Sequence, residues 1–233
     1  MEIIPFECGP LATNCYLAID NLFVGVNSES APSIIIDAPP DAVLHLLPVI
    51  EERKLNVEKI ILTHTHWDHT IDTAELKRKT NARVYVHKED EYRLLNPDDT
   101  SIFKLPFAIE PVKSDGYLSH GLKINCGSLE FEVLHTPGHT EGGICLVNHE
   151  NKVVFTGDTL FCRSVGRTDF PGGSWELLLQ SIEKYLLPLT DDTRVFSGHG
   201  IPTTIGEERM YNPFIEQIAG QNNVQTVFSN YDY

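Results

Sequence analysis

Apolar positions first fall in short runs, EIIPFE, NCYLAID, LFVGV and SIIIDAP, broken by Gly, Pro, Asn and Ser, and this predicts an opening meander of strands. In DAVLHLLPVIEERKL the spacing becomes helical: Val43, Leu44, Leu47 and Ile50 share one face, Asp41 stands at the start as a cap, and Pro48 predicts a kink. VEKIILT reads as a buried strand that runs into THTHWDH, after which IDTAELKRKT is helical with a basic end that suits the helix dipole. RVYVH and KEDEYRLL predict another strand and helix. From Asn96 to Gly116 the pattern lapses into a polar stretch with Pro97, Pro106 and Pro111, a long loop or hairpin that either covers a site or is mobile.

Strand alternation returns in LKINCGSLEFEVLHT and continues through ICLVN and KVVFTGD. SWELLLQSIEKYLL predicts an amphipathic helix capped by Ser174, with Leu178, Ile182 and Leu186 on one face. RVFSGHG is a last strand, and IGEERMYNPFIEQI a terminal helix broken near Pro213. No repeat or linker interrupts the chain, so one α/β domain is expected. Two mixed sheets packed face to face with helices outside would gather the polar turns that follow these strands along one edge.

Charge and composition narrow the partners. With 41% hydrophobic and 22% charged residues the chain is ordinary globular protein, and its net charge of −15 disfavours nucleic acid and anionic membranes as partners. No window approaches the roughly 18 apolar residues that span a bilayer, and no basic start precedes an apolar stretch, which places the protein in the cytoplasm. The five cysteines, Cys8, Cys15, Cys126, Cys145 and Cys162, form no CxxC pair and are expected as reduced thiols.

The chemistry concentrates in His64, His66, Asp68 and His69, an HxHxDH set at a strand's carboxyl end, where open α/β sheets present ligands. Two histidines two apart in an extended turn can point to one side while the next Asp and His turn toward a second point. Imidazole and carboxylate suit ions such as Zn²⁺, and paired ions lie about 3.5 to 4 Å apart. Such a site needs further ligands, and His139 in TPGHT, Asp158 in TGDTLF and His199 in SGHG each end a strand beside a glycine.

In this order and spacing, THTHWDH, TPGHT, GDTLF and GHG resemble the ligand motifs of the metallo-β-lactamase superfamily. GDTLFCRSVGRTDFPGGS and GIPTTIGEERMYNPF are similar to short bacterial hydrolases related to glyoxalase II, the hydroxyacylglutathione hydrolases. The resemblance implies a four-layer αββα sandwich of two mixed sheets over residues 1–233, without the C-terminal helical domain that contacts glutathione in longer relatives. It also implies two divalent ions, zinc foremost with iron or manganese compatible. His64, His66 and His139 would hold the first, Asp68, His69 and His199 the second, and Asp158 would bridge them. TIDT after His69 departs from the glycines many relatives carry there.

The implied reaction is hydrolysis of a small-molecule thioester by a hydroxide held between the ions, since metal coordination brings a water's pKa to about 7. A thiolate, with a pKa near 8.5, leaves without a strong general acid. Asp68 would also orient the attacking water. Arg167 is a candidate for an acidic substrate group or for an ion pair with Asp169, and Asp37 for a ligand histidine's acceptor or a turn cap. Trp67 and Tyr117 are candidate cleft walls, and Cys162 a buried strand-end thiol. His45, His87, His120, His135 and His149 lack motif context and are read as non-ligands.

Three other readings compete. A mononuclear-iron persulfide dioxygenase shares this fold and most ligand positions, a true β-lactamase would be exported, and a non-catalytic module would bind metal without turnover. The oligomeric state is left open.

Overall fold

The structure, a computed structural model, describes residues 1–23, 30–97, 105 and 107–216. Its first half comprises β1 (Glu2–Cys8), β2 (Thr13–Ile19), β3 (Pro32–Ile36), α1 (Ala42–Glu52), β4 (Asn56–Ile61), α2 (Thr73–Thr80), β5 (Arg83–His87), α3 (Glu91–Leu95) and β6 (Gly116–Leu118). The second half comprises β7 (Lys123–Cys126), β8 (Leu129–His135), β9 (Ile144–Asn148), β10 (Val153–Gly157), a small hairpin of β11 (Leu160–Phe161) and β12 (Ser164–Val165), α4 (Trp175–Ser181), β13 (Arg194–Ser197), β14 (Thr203–Thr204) and α5 (Ile205–Tyr211).

The first sheet has the order β1-β2-β3-β4-β5-β6 and the second β14-β13-β10-β9-β8-β7. Both are mixed: β1 to β3 are antiparallel and β3 to β6 parallel, whereas β7 to β10 are antiparallel and β13 runs parallel to β10. Strands covered on both faces read as unbroken apolar runs, and the SIIID segment shows the consequence. Ile34 and Ile36 point between the sheets, where they meet Phe131, Leu146 and Phe155, while Ile35 points the other way into a core shared with Leu46 and Ile50 of α1 and Leu76 of α2. On the far side Leu178, Ile182 and Leu186 pack onto Cys145, Val147 and Val154. The result is the expected αββα arrangement. Among the described residues no helix is long and apolar enough to cross a membrane.

Four local expectations change. Of the α1 residues predicted to share a face, Leu44 is exposed and the buried set is Ala42, Val43, Leu46 and Ile50. That segment offers two overlapping apolar stripes, and packing on β3 and β4 selects between them. Asp41 does not cap α1 with its side chain; it takes a left-handed conformation, and Asp72 from the start of α2 accepts the Val43 N–H at 2.9 Å instead. The single helix predicted from Ser174 is α4 followed by a π-helical turn, Ile182–Leu186, with Ser174 Oγ accepting from Leu177 N as the expected cap. LFVGV does not begin as a strand, since Asn21–Phe23 forms a 3₁₀ turn, and its remainder lies outside the described residues.

The stretch after α3 is in part extended structure: Val112 N–H donates to Leu94 O, Ile109 and Val112 are buried, and β6 pairs parallel with β5. Residues 98–104 of that predicted loop, and the predicted terminal helix beyond residue 216, lie outside the described residues.

Phe155 is fully buried between the sheets, with ring centroids of Tyr16, Phe196 and Phe131 at 5.3, 5.6 and 6.5 Å. Phe155→Ala should therefore lower unfolding free energy by about 3–5 kcal/mol, read as a lower denaturant midpoint with an unchanged slope.

Candidate metal centre

All seven predicted ligands arrive from strand ends. β4 delivers His64 and His66 and then a 3₁₀ turn, Trp67–His69, which carries Asp68 and His69. β8 leads to His139, β10 to Asp158 and β13 to His199. Because β4 belongs to one sheet and β8, β10 and β13 to the other, the ligands converge only where the sheets close on each other. That closure is tied by β2, whose Asn14 N–H donates to Gly198 O at 2.7 Å and whose Asn14 Nδ2 donates to Ser197 O and Gly200 O.

Donor atoms gather in three overlapping sets, each within 4.8 Å: His64, His66 and His139; His64, His69 and Asp158; and Asp68, His69 and His199. His66 Nδ1 lies 2.8 Å from His139 Nε2, and His69 Nε2 lies 3.4 Å from His199 Nε2. Asp158 stands between the sets, with Oδ2 at 3.5 Å from His139 Nε2 and 3.6 Å from His199 Nε2, and Oδ1 at 3.4 Å from His69 Nε2. Asp68 Oδ2 lies 3.3 Å from His199 Nε2 and accepts from Thr13 Oγ1 at 3.2 Å. The approach needs small neighbours. At Gly198 a Cβ would come within 2.2 Å of Asp158 Oδ1 and 2.7 Å of His69 Cε1.

Three of the rings, His69, His139 and His199, are oriented from behind. Asp37, held at a left-handed φ of 61° just past β3, accepts from Thr63 N–H and Thr63 Oγ1 and faces His69 Nδ1 at 2.9 Å. Of its two predicted roles the geometry fits the one behind His69, and Asp37 also anchors the loop that starts the motif. His139 Nδ1 lies 2.8 Å from Arg167 O and His199 Nδ1 3.2 Å from Leu11 O, which leaves Nε2 of each ring toward the centre.

A second anchor escaped sequence reasoning. Asp90, fully buried, accepts from Thr65 N–H, Thr140 Oγ1 and Gly142 N–H, so it joins the HxHxDH loop to the TPGHT loop. Buried Arg93 donates to Asp90 at 3.0 Å, to Glu141 and to Pro171 O. KED followed by EYRLL reads locally as a solvated helix start, and the only available signal was an Asp directly after a predicted strand end.

The electrostatics match a cation-binding role. Burial pushes His64 well down and His66 down to about 3, so both imidazoles are neutral, the form that donates a lone pair. Burial opposes ionisation of Asp158 and Asp68, yet the neighbouring imidazoles, His69 foremost, outweigh it and hold both below the usual carboxylate range, while the same carboxylates raise His69 and His199, so protons occupy the place between them that a cation would take. His64 Nε2 and Asp158 Oδ1 are buried without a hydrogen-bond partner. Unpaired lone pairs of this kind are costly unless a cation accepts them. The residues present therefore fit a pair of divalent ions.

The centre floors a cleft of about 680 Å³, walled by Leu11, Trp67, Phe161, Val165 and Phe170 among others, with Tyr92, Arg93 and Arg167 at its polar side. Trp67 is a wall as expected. Tyr117 is not, since its hydroxyl donates to Glu91 at 2.5 Å. Arg167 lines the cleft while its guanidinium pairs with Asp169 through two 2.7 Å bonds and lies over the Phe170 ring. Cys162 is half-buried in the β11–β12 turn, and all five cysteines are free.

The description of the metallo-beta-lactamase superfamily matches residues 9–199, which include every one of these ligands. The chain belongs to this superfamily. Hydroxyacylglutathione hydrolase GloC of Haemophilus influenzae is 37% identical over 217 residues, covering 92% of this chain and 97% of that protein. The crystal structure of BLEG-1 B3 metallo-beta-lactamase superposes with a TM-score of 0.81 at 33% identity, over 92% of this chain and 99% of that one. That of TTHA1623 in a di-iron-bound form gives 0.73 at 34% identity, over 91% and 99%. The superfamily and its His/Asp clusters point to an enzyme of the metallo-hydrolase kind with a dinuclear metal site.

Asp37→Asn keeps an acceptor for Thr63 N–H and tolerates the left-handed backbone, but removes the charge behind His69. Its metal affinity should fall about 10- to 100-fold in chelator competition, with an unchanged circular dichroism spectrum.

Proposed function

We propose that the protein hydrolyses a thioester of glyoxalase II type, an S-acylglutathione or related small molecule, at two metal ions. In this reading His64, His66 and His139 would hold one ion, Asp68, His69 and His199 the other, and Asp158 would be shared between them. Zinc is the first choice of metal, with iron and manganese compatible with the same donors. Bound ions of this kind supply a hydroxide nucleophile at neutral pH and polarise a substrate carbonyl.

The observation that carries the reading is the contrast between the floor and the walls of the cleft. Reactive polar atoms converge on one point, and the surroundings are largely apolar, with Arg167 as the cation at the rim. Within the cleft lining, Asp68 and Asp158 are the carboxyl groups, both held ionised, and Tyr92 is pushed up to about 12 chiefly by burial. With no carboxylic acid in the lining to protonate a departing group, the site suits a leaving group that departs as an anion at neutral pH, which a thiolate does and an amine does not. The likeness to GloC over nearly the whole of both chains supports the same choice.

Asp68 orients the attacking water. Its Oδ2 is fixed by Thr13 Oγ1 and faces His199, and the carboxylate borders the cleft. Arg167 sits at the rim with a side chain about half exposed and offers its guanidinium to an acidic group of the substrate while still stacked on Phe170.

Protein loaded with two equivalents of zinc should release thiol from S-lactoylglutathione and lose that activity with a chelator. Oxygen uptake with glutathione persulfide at one iron per chain, without thioester cleavage, would overturn the reading in favour of a dioxygenase. Turnover of a β-lactam alone would favour a lactamase, and metal uptake with no turnover a binding module. Asp68→Asn should cost at least tenfold in kcat while metal content stays near two per chain; full activity would remove its catalytic role. Arg167→Ala should raise KM several-fold for an anionic thioester with little change in kcat, measured against a neutral thioester as control.

A further inference from the structure

A second set of donors gathers outside the cleft lining, at the carboxyl ends of β5 and β8. His87 is the last residue of β5 and His135 the last of β8, so each sheet presents one imidazole, and Glu89 follows two residues after His87. The two rings lie face to face, with centroids 3.9 Å apart and planes 13° from parallel. One donor atom from each of His87, Glu89 and His135 falls within 4.8 Å of the other two.

The backbone selects the nitrogens. Glu89 N–H donates to His87 Nδ1 at 3.3 Å, which leaves Nε2 of that ring for a ligand. His135 Nε2 donates to Glu141 O at 2.9 Å and lies 3.8 Å from Glu89 Oε2, so a cation at this nitrogen would take the place of the ring proton between two oxygen acceptors. Glu89 and His135 border a hollow of about 480 Å³ lined also by Pro137, Glu141, Gly172 and Leu177. Glu141 is the partition: its carbonyl oxygen faces His135, and its carboxylate accepts from Arg93 and Tyr92 on the cleft side. Burial, then the neighbouring His135, keeps His87 below its ordinary value, so that ring is a neutral donor.

We propose that His87, His135 and Glu89 form an auxiliary site for a borderline divalent cation such as Zn²⁺, separate from the His/Asp centre. Two imidazoles with one carboxylate are the donor set that ions of this class prefer over the all-oxygen cages of calcium and magnesium. With one donor atom of each residue within 4.8 Å of the others, loss of the His135 Nε2 proton and a modest turn about χ2, a soft torsion for histidine, would bring the rings onto one ion. Glu141 O supplies a fourth donor and water completes the shell. The sequence gives no hint of the site because its histidines are 48 positions apart and lie in different sheets.

The test compares zinc bound per chain in the wild type and in a His87→Ala/Glu89→Gln double variant, neither position being part of the His/Asp centre. Equilibrium dialysis against a series of free zinc concentrations up to saturation should show one more ion per wild-type chain than per variant. This difference does not depend on how many ions the main centre holds or on what the enzyme hydrolyses. Equal zinc content in the two proteins would overturn the proposal. A second readout needs no variant: zinc added beyond the ions of the main centre should shift the ¹⁵N imidazole resonances of His87 and His135 together in the wild type. Unmoved resonances at saturating zinc would overturn it equally.

Discussion

Burying several imidazoles and carboxylates side by side is the constraint on which the rest of this structure depends. Taken singly, each such group would be expelled to water or neutralised. Here they are retained because four of them have a partner behind and all share a point in front. Asp37 stands behind His69, Arg167 O behind His139, Leu11 O behind His199 and Thr13 behind Asp68. Three of these supports belong to the first sheet and its β1–β2 turn, and Arg167 follows the β11–β12 hairpin. The groups they hold are delivered by both sheets, which must close on each other before the centre exists, and the aromatic layer of Tyr16, Phe131, Phe155 and Phe196 packs between them.

The close approach also explains the placement of glycine and of unusual backbone. Gly198 admits Asp158 and His69, and Gly157, at a positive φ of 48°, leaves room for Thr63, whose Oγ1 would lie 2.4 Å from a Cβ there. Asp37 takes the left-handed conformation that aims its carboxylate at two donors of Thr63 and at His69 together. Strain of this kind at a non-glycine residue is tolerated where several hydrogen bonds over-determine it.

What was legible in the sequence divides along physical lines. The HxHxDH set is local, so its four residues carry their own geometry, and the layer order follows from strand runs and helical spacing. The face of α1 was not legible, because the window around Leu44 holds apolar residues on two stripes and only contact with the sheet decides between them. The Asp90–Arg93–Glu141 group was invisible for a different reason: Asp90 reaches Thr140 and Gly142 across 50 and 52 positions, and nothing periodic marks such pairings. The π-helical turn after α4 likewise reflects packing of Ile182 and Leu186 against the second sheet, and local propensity carries no trace of it.

The arginines of the cleft illustrate how burial apportions roles. Arg93 is enclosed and spends its guanidinium on Asp90, Glu141 and Pro171 O, so its charge is consumed in holding the two ligand loops together. Releasing it to a substrate would leave Asp90 buried and unpaired, at a cost of several kcal/mol. Arg167 is tied only to Asp169, itself at the surface, and exchange of an exposed ion pair for a substrate carboxylate costs little. A chain with net charge −15 thus keeps one rim cation within reach of the cleft, and the field a small anionic ligand meets there is set by that residue and by the ions below it more than by the charge of the whole molecule.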